Sequence, residues 1–236
     1  MQPFKPSPTA SLLSSVTLSV ALLLGANSSH GDDQQRIDFI QQQFEQTRDH
    51  SEMWQWGWFG FLGSAATVQG IAANTVDDDK LQYDMSVGAV TSFLGAADML
   101  LNPMQSHNFS DQLQQVNSNS DMAKTDKLQQ AESWLAKAAA REAYEQSWTN
   151  HLLSGLVNGL AGLAVAYDDK RPIDGWLTFA TGVAVTEFKI YTAPQTMMAA
   201  QQAYMNGNYS AQTAKVTPRR WNIAAAGPNL FVEYKF

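Results

Sequence analysis

Asp98, Glu187 and Lys189 are the charged side chains best placed for chemistry, because each interrupts an otherwise apolar segment. In a bilayer such groups are costly unless paired, and they mark a functional interior. In a soluble helix they are ordinary boundary residues. Two acidic loops, Asp77-Asp78-Asp79-Lys80 and Asp168-Asp169-Lys170, cluster further carboxylates. They lack the spaced ligands and central glycine of a calcium loop and read as solvated turns that cap helices. His30, His50, His107 and His151 show no helical ligand spacing, so no metal site is expected. The chain has no cysteine, which excludes disulfides, thiol catalysis and cysteine-ligated zinc. It has neither a glycine-rich phosphate loop after a strand nor a Gly-x-Ser-x-Gly elbow. No catalytic constellation emerges, and the reading is of a non-enzymatic protein that needs no cofactor.

The segments that position these charges are apolar and rich in small residues. Over Trp56–Val76, Gly60, Gly63, Thr67, Gly70 and Asn74 recur at spacings of three and four, which puts them on one helical face. Gly88, Thr91, Gly95, Asp98 and Asn102 repeat the pattern in a second arm that ends before Pro103. Bulky residues such as Phe61, Val68, Val90 and Phe93 lie off these stripes. Glycine inside a helix costs about 1 kcal/mol relative to alanine, so a face of glycines implies a benefit elsewhere. Close helix-to-helix approach supplies one. Gly63, Gly70, Gly88 and Gly95 are therefore expected to form a seam between the two arms.

A second hairpin follows at an offset of 90 residues, as between Glu52 and Glu142. Trp58 then meets Trp148, Asp84 meets Asp174, Thr91 meets Thr181 and Gln105 meets Gln195. Its arms, 151–167 and 173–192, carry Gly155, Gly159, Gly162 and Ala166, then Gly175, Thr178, Gly182 and Thr186. The expected organisation is a signal peptide at 1–31, a helical repeat at 32–105, a Ser/Asn/Gln-rich linker at 106–120, a second repeat at 121–206 and a tail at 207–236. The fold class is mainly α: duplicated helical hairpins, two amphipathic helices (32–54 and 121–148) and a small C-terminal β-hairpin. A short helix is expected at 195–206.

Lys5, the apolar run Leu12–Gly25 and the small residues before Asp32 predict export. A chain of 236 residues without disulfides fits a bacterial envelope, in the periplasm or a membrane. The net charge is −7 and basic residues are scattered, which argues against nucleic acid as a partner. Four apolar arms flanked by Trp and Tyr suit a membrane. Gln69, Asn74 and Asn158 lower their hydropathy, and the short loops carry fewer cations than the outer segments, contrary to the positive-inside rule. The balance leans to a membrane-associated envelope protein, with lipid or an envelope protein as partner. A soluble periplasmic helical domain that binds an apolar ligand or a protein is the alternative.

Overall fold

The computed structural model describes residues 30–210 and two backbone segments, Trp221–Ala226 and Asn229–Tyr234. All but the last two residues of the expected signal peptide lie outside the described residues. The described chain is mainly helical. Its order is α1 (His30–Thr75), α2 (Asp79–Leu101), α3 (Ser106–Gln115), α4 (Asp121–Glu145), α5 (Trp148–Leu163), a π-helical turn (Ala164–Asp168), α6 (Pro172–Thr192) and α7 (Thr196–Met205). The two C-terminal segments, Trp221–Ala226 and Asn229–Tyr234, have extended backbone. The turn 227–228 and the side chains of this tail lie outside the described residues.

Two expectations need correction. The amphipathic helix at 32–54 and the first arm are not separate elements but one 46-residue helix, α1. At about 1.5 Å per residue it is roughly 69 Å long. Nothing between Glu52 and Gly60 removes a backbone donor or caps an end, so the helix passes through two glycines. Between α4 and α5 the chain is broken at Gln146–Ser147, where the Ser147 side chain caps α5 by accepting from the Asn150 N–H. The second correction concerns the linker at 106–120. Its first ten residues are α3, which buries Ser106, His107, Phe109, Ser110 and Leu113. Phe109 stacks on Trp134 with ring centroids 5.3 Å apart and meets the edge of Phe44 at 5.5 Å. That burial outweighs a polar composition.

The helices form two lobes that α1 joins. In the cap lobe, the N-terminal half of α1 packs with α3, α4 and α7 around Ile40, Phe44, Leu113, Leu135 and Met197, all fully buried. Polar side chains cover its outside, the ordinary arrangement for a helix in water. In the hairpin lobe, the C-terminal half of α1 pairs with α2, and α5 pairs with α6. Here the polarity is reversed. Phe61, Val68, Val90, Phe93, Leu156, Leu160 and Trp176 are exposed, while Ser154 and Asn158 are buried. Trp148, expected at the end of the helix 121–148, opens α5 and is also exposed.

Candidate functional site: a buried charge cluster below a cleft between the hairpins

Where the two lobes meet, Leu128, Ala131, Leu135 and Ala138 form the buried stripe of α4, and its next members are Glu142 and Glu145, both fully buried. The helix thus carries two carboxylates on its core face. Each is answered by a different element.

Glu145 faces α6. Its Oε1 accepts from Lys189 Nζ at 2.6 Å, and its Oε2 accepts from Arg141 Nη1 at 2.8 Å. Lys189 is itself buried, lies 3.7 Å from Asp98 Oδ2 on α2, and sits 5.2 Å from the centre of the Trp54 ring. The Trp54 indole N–H donates to the Lys189 carbonyl at 3.0 Å. Burial pushes the Glu145 pKa up, but the charges and hydrogen bonds of Lys189 and Arg141 outweigh it and hold the carboxyl below its ordinary value. The cluster is a buried network in which two cations answer two carboxylates.

Glu142 faces α7. That helix has no side-chain cap of its own at Gln195. Glu142 Oε2 takes the role from α4 by accepting the Met198 N–H at 3.0 Å. Its other oxygen, Oε1, has no partner among the described residues. Burial raises its pKa to about 7, against the opposing pull of the Met198 and Met197 N–H groups.

Of the three charges singled out by sequence, the structure joins Asp98 to Lys189 and leaves Glu187 apart. Glu187 receives His151 Nδ1 at 2.9 Å in a partly exposed pair. Its side chain points about 200° around the helix from that of Lys189, at 3.6 residues per turn, and residues two apart do not share a face. Sequence reasoning missed Arg141, Glu142 and Glu145. The available signal was two carboxylates continuing the apolar stripe of α4.

The glycine seam is only half as expected. A Cβ on Gly95 would meet Leu62 at 3.1 Å, and one on Gly88 would meet Gln69 at 2.9 Å. Gly63 and Gly70 have open space around them and do not belong to the seam. The closest backbone approach lies in the second hairpin, where a Cβ on Gly162 would fall 2.7 Å from the Gly175 carbonyl oxygen.

A cleft of about 460 Å³ runs between the hairpins, above the charge cluster. Gln69, Thr91, Ser92, Asn158, Thr178 and Thr186 line it together with apolar Trp58, Leu62, Met85, Leu177 and Val185, with Lys189 at one end and Asp84 and Asp174 at the other. Polar pairs tie the arms within each hairpin: Ser92 donates to Gln69 at 3.1 Å, and Ser154 donates to Thr186 at 2.5 Å. At the loop end Arg171 bridges the hairpins. It donates to both oxygens of Asp84, to Asp174 at 2.9 Å and to Asp169 at 2.5 Å. Tyr83 adds a bond to Asp168 at 2.8 Å.

By length and composition, one helical stretch among the described residues, within Asp79–Gln115, suffices to cross a membrane. No family model, curated protein or solved structure matches this chain.

Proposed function

We propose that this chain is a non-enzymatic, membrane-associated protein of the bacterial cell envelope, whose two helical hairpins enclose a partly polar, pore-like interior. The observation that carries the reading is the reversed polarity of the hairpin lobe. Bulky apolar side chains point outward from all four arms, while Ser154, Asn158 and Lys189 are buried between them. Outward-facing Leu and Phe with hydrogen-bonded polar groups inside suit a lipid surround. Exposed aromatics support it further: Trp56 and Trp148 at the cap end, Tyr167 and Trp176 at the loop end. Trp148 and Tyr167 are separated by about 29 Å of helix at 1.5 Å per residue, close to the ~30 Å hydrocarbon thickness. Export through the N-terminal segment and a C-terminal β-hairpin belong to the same reading, as does duplication of the hairpin unit.

Carbonate washing of envelopes tests it. The chain should stay in the pellet, and brominated phospholipid should quench its tryptophan emission. Complete release into the wash, with an unaggregated species in detergent-free buffer, would sink the membrane reading. The soluble alternative then gains from an apolar cleft of about 580 Å³ between α1 and α6, walled by Trp54, Trp58, Phe61 and Phe188. That cleft suits an apolar ligand.

A further inference from the structure

We propose that a third cavity, of about 310 Å³ at the N-terminus of α3, is a phosphate-binding site. It lies between the end of α2, the start of α3 and the flank of α4, and Asn102, Gln105, Ser106, Lys137 and Arg141 supply its polar lining. Two of its donors have no acceptor among the described residues. Ser106 is 1% exposed, yet its hydroxyl has no hydrogen-bond partner among the described residues. Arg141 donates through Nε to the Asn102 carbonyl and through Nη1 to Glu145, each at 2.8 Å, while its buried Nη2 has no partner. Buried donors of this kind are rarely left unmet, and each unmet one is costly.

The surroundings specify what would meet them. No side chain caps α3, and its first residue, Ser106, lines the cavity, so the positive end of the helix dipole lies at this place. Lys137 holds its ammonium there through Gln105, at 2.9 Å. Two carboxylates adjoin the lining and are already engaged: Glu145 accepts from Arg141 Nη1 at 2.8 Å, and Asp98 accepts from Asn102 Nδ2 at 2.8 Å. A hydroxyl, a guanidinium edge, an ammonium and a helix N-terminus together match an oxyanion with several acceptor oxygens. A phosphate satisfies them better than a carboxylate, because it offers more oxygens in three dimensions.

The phosphate could be free or the headgroup of an anionic lipid. Exposed Leu101 and half-buried Pro103 line the cavity at the junction of the lobes. An acyl chain could descend there along α2, an arrangement that rests on the membrane reading above.

The test uses the full chain in a neutral detergent, titrated with inorganic phosphate, and the reconstituted chain in phosphatidylcholine vesicles with or without phosphatidylglycerol. The variant is Ser106→Ala/Lys137→Gln, with Lys137→Gln alone at its exposed position as a control for folding. Loss of charge-assisted hydrogen bonds should weaken binding about tenfold or more. Phosphate affinity that falls in the variant supports a site for the free ion. Stabilisation by phosphatidylglycerol over phosphatidylcholine that disappears in the variant, without a phosphate response, supports the headgroup. Equal titrations of variant and wild type in both arms overturn the site, as does no response in either. If the chain ignores neutral vesicles yet binds phosphate through these residues, the membrane reading fails and the site stands.

Discussion

Glu142 shows how one side chain can serve two ends. Its carboxylate caps α7 from a neighbouring helix, yet it lies fully buried with one oxygen unmet. The folded pKa of about 7 lies above the ordinary 4.5, so the native state holds this proton more tightly than the unfolded chain does. Stability from this group is fully present below pH ~4.5 and is lost as pH rises through about 7, by up to ~3 kcal/mol. Melting of the wild type should therefore fall between pH 5 and 8, and Glu142→Gln should flatten that slope while keeping the bond to the Met198 N–H. An unchanged slope in Glu142→Gln would mean that another group carries the pH dependence. Glu145 differs although it is buried alike, because Lys189 and Arg141 stabilise its charge. Two carboxylates one turn apart are thus set to opposite protonation behaviour by what faces them.

At the scale of elements, the tightest constraint is the crossing of α5 and α6. Any side chain at Gly175 would strike the Gly162 carbonyl and the Ala166 backbone. Gly175→Ala should destabilise by about 1–3 kcal/mol through overpacking. Gly159→Ala, with open space around it, should be neutral or gain up to about 1 kcal/mol from helix propensity. Denaturant unfolding of the two variants in detergent checks this, and equal midpoints would remove the close approach. These positions also show what was legible in the sequence. The 3.6-residue period of apolar and small residues gave the arms, their loops and the short helix α7. It could not give the orientation of each stripe, because small residues tolerate both a neighbouring helix and open space. Hence Gly88 and Gly95 lie in the seam while Gly63 and Gly70 do not. The helix α3 was hidden because only Phe109 and Leu113 mark its buried face, among polar neighbours. The charge cluster was half legible: Asp98 and Lys189 interrupt apolar arms, whereas Glu145 lies in an ordinary-looking helix and declares itself only through packing.

For the whole molecule, the duplication reading makes a demand on the charge cluster. With the offset of 90, α3 (Ser106–Gln115) falls on α7 (Thr196–Met205) at both ends. The same offset relates Gln55 to Glu145 and Met99 to Lys189. Gln55, also buried, donates to the Met99 carbonyl at 2.6 Å and accepts the Met104 N–H at 2.7 Å. The first half thus has a neutral pair where the second half has an ion pair. If the halves share one design, the neutral pair should work in the second half too. Lys189→Met alone strands Glu145 with only Arg141, and breaking a buried pair in this way costs up to about 3–5 kcal/mol. Glu145→Gln alone leaves Lys189 facing Asp98 at 3.7 Å and the Trp54 ring, a smaller loss. Glu145→Gln/Lys189→Met copies the first half, and should recover to within about 1 kcal/mol of wild type, since neutral replacement of a buried pair is often harmless. A double-mutant cycle by denaturant unfolding measures the coupling. Additive losses would show that the two positions do not form a replaceable pair. The common design of the halves would then rest on helix layout alone, and the buried charges would have to be explained by what passes through or binds in the cleft above them.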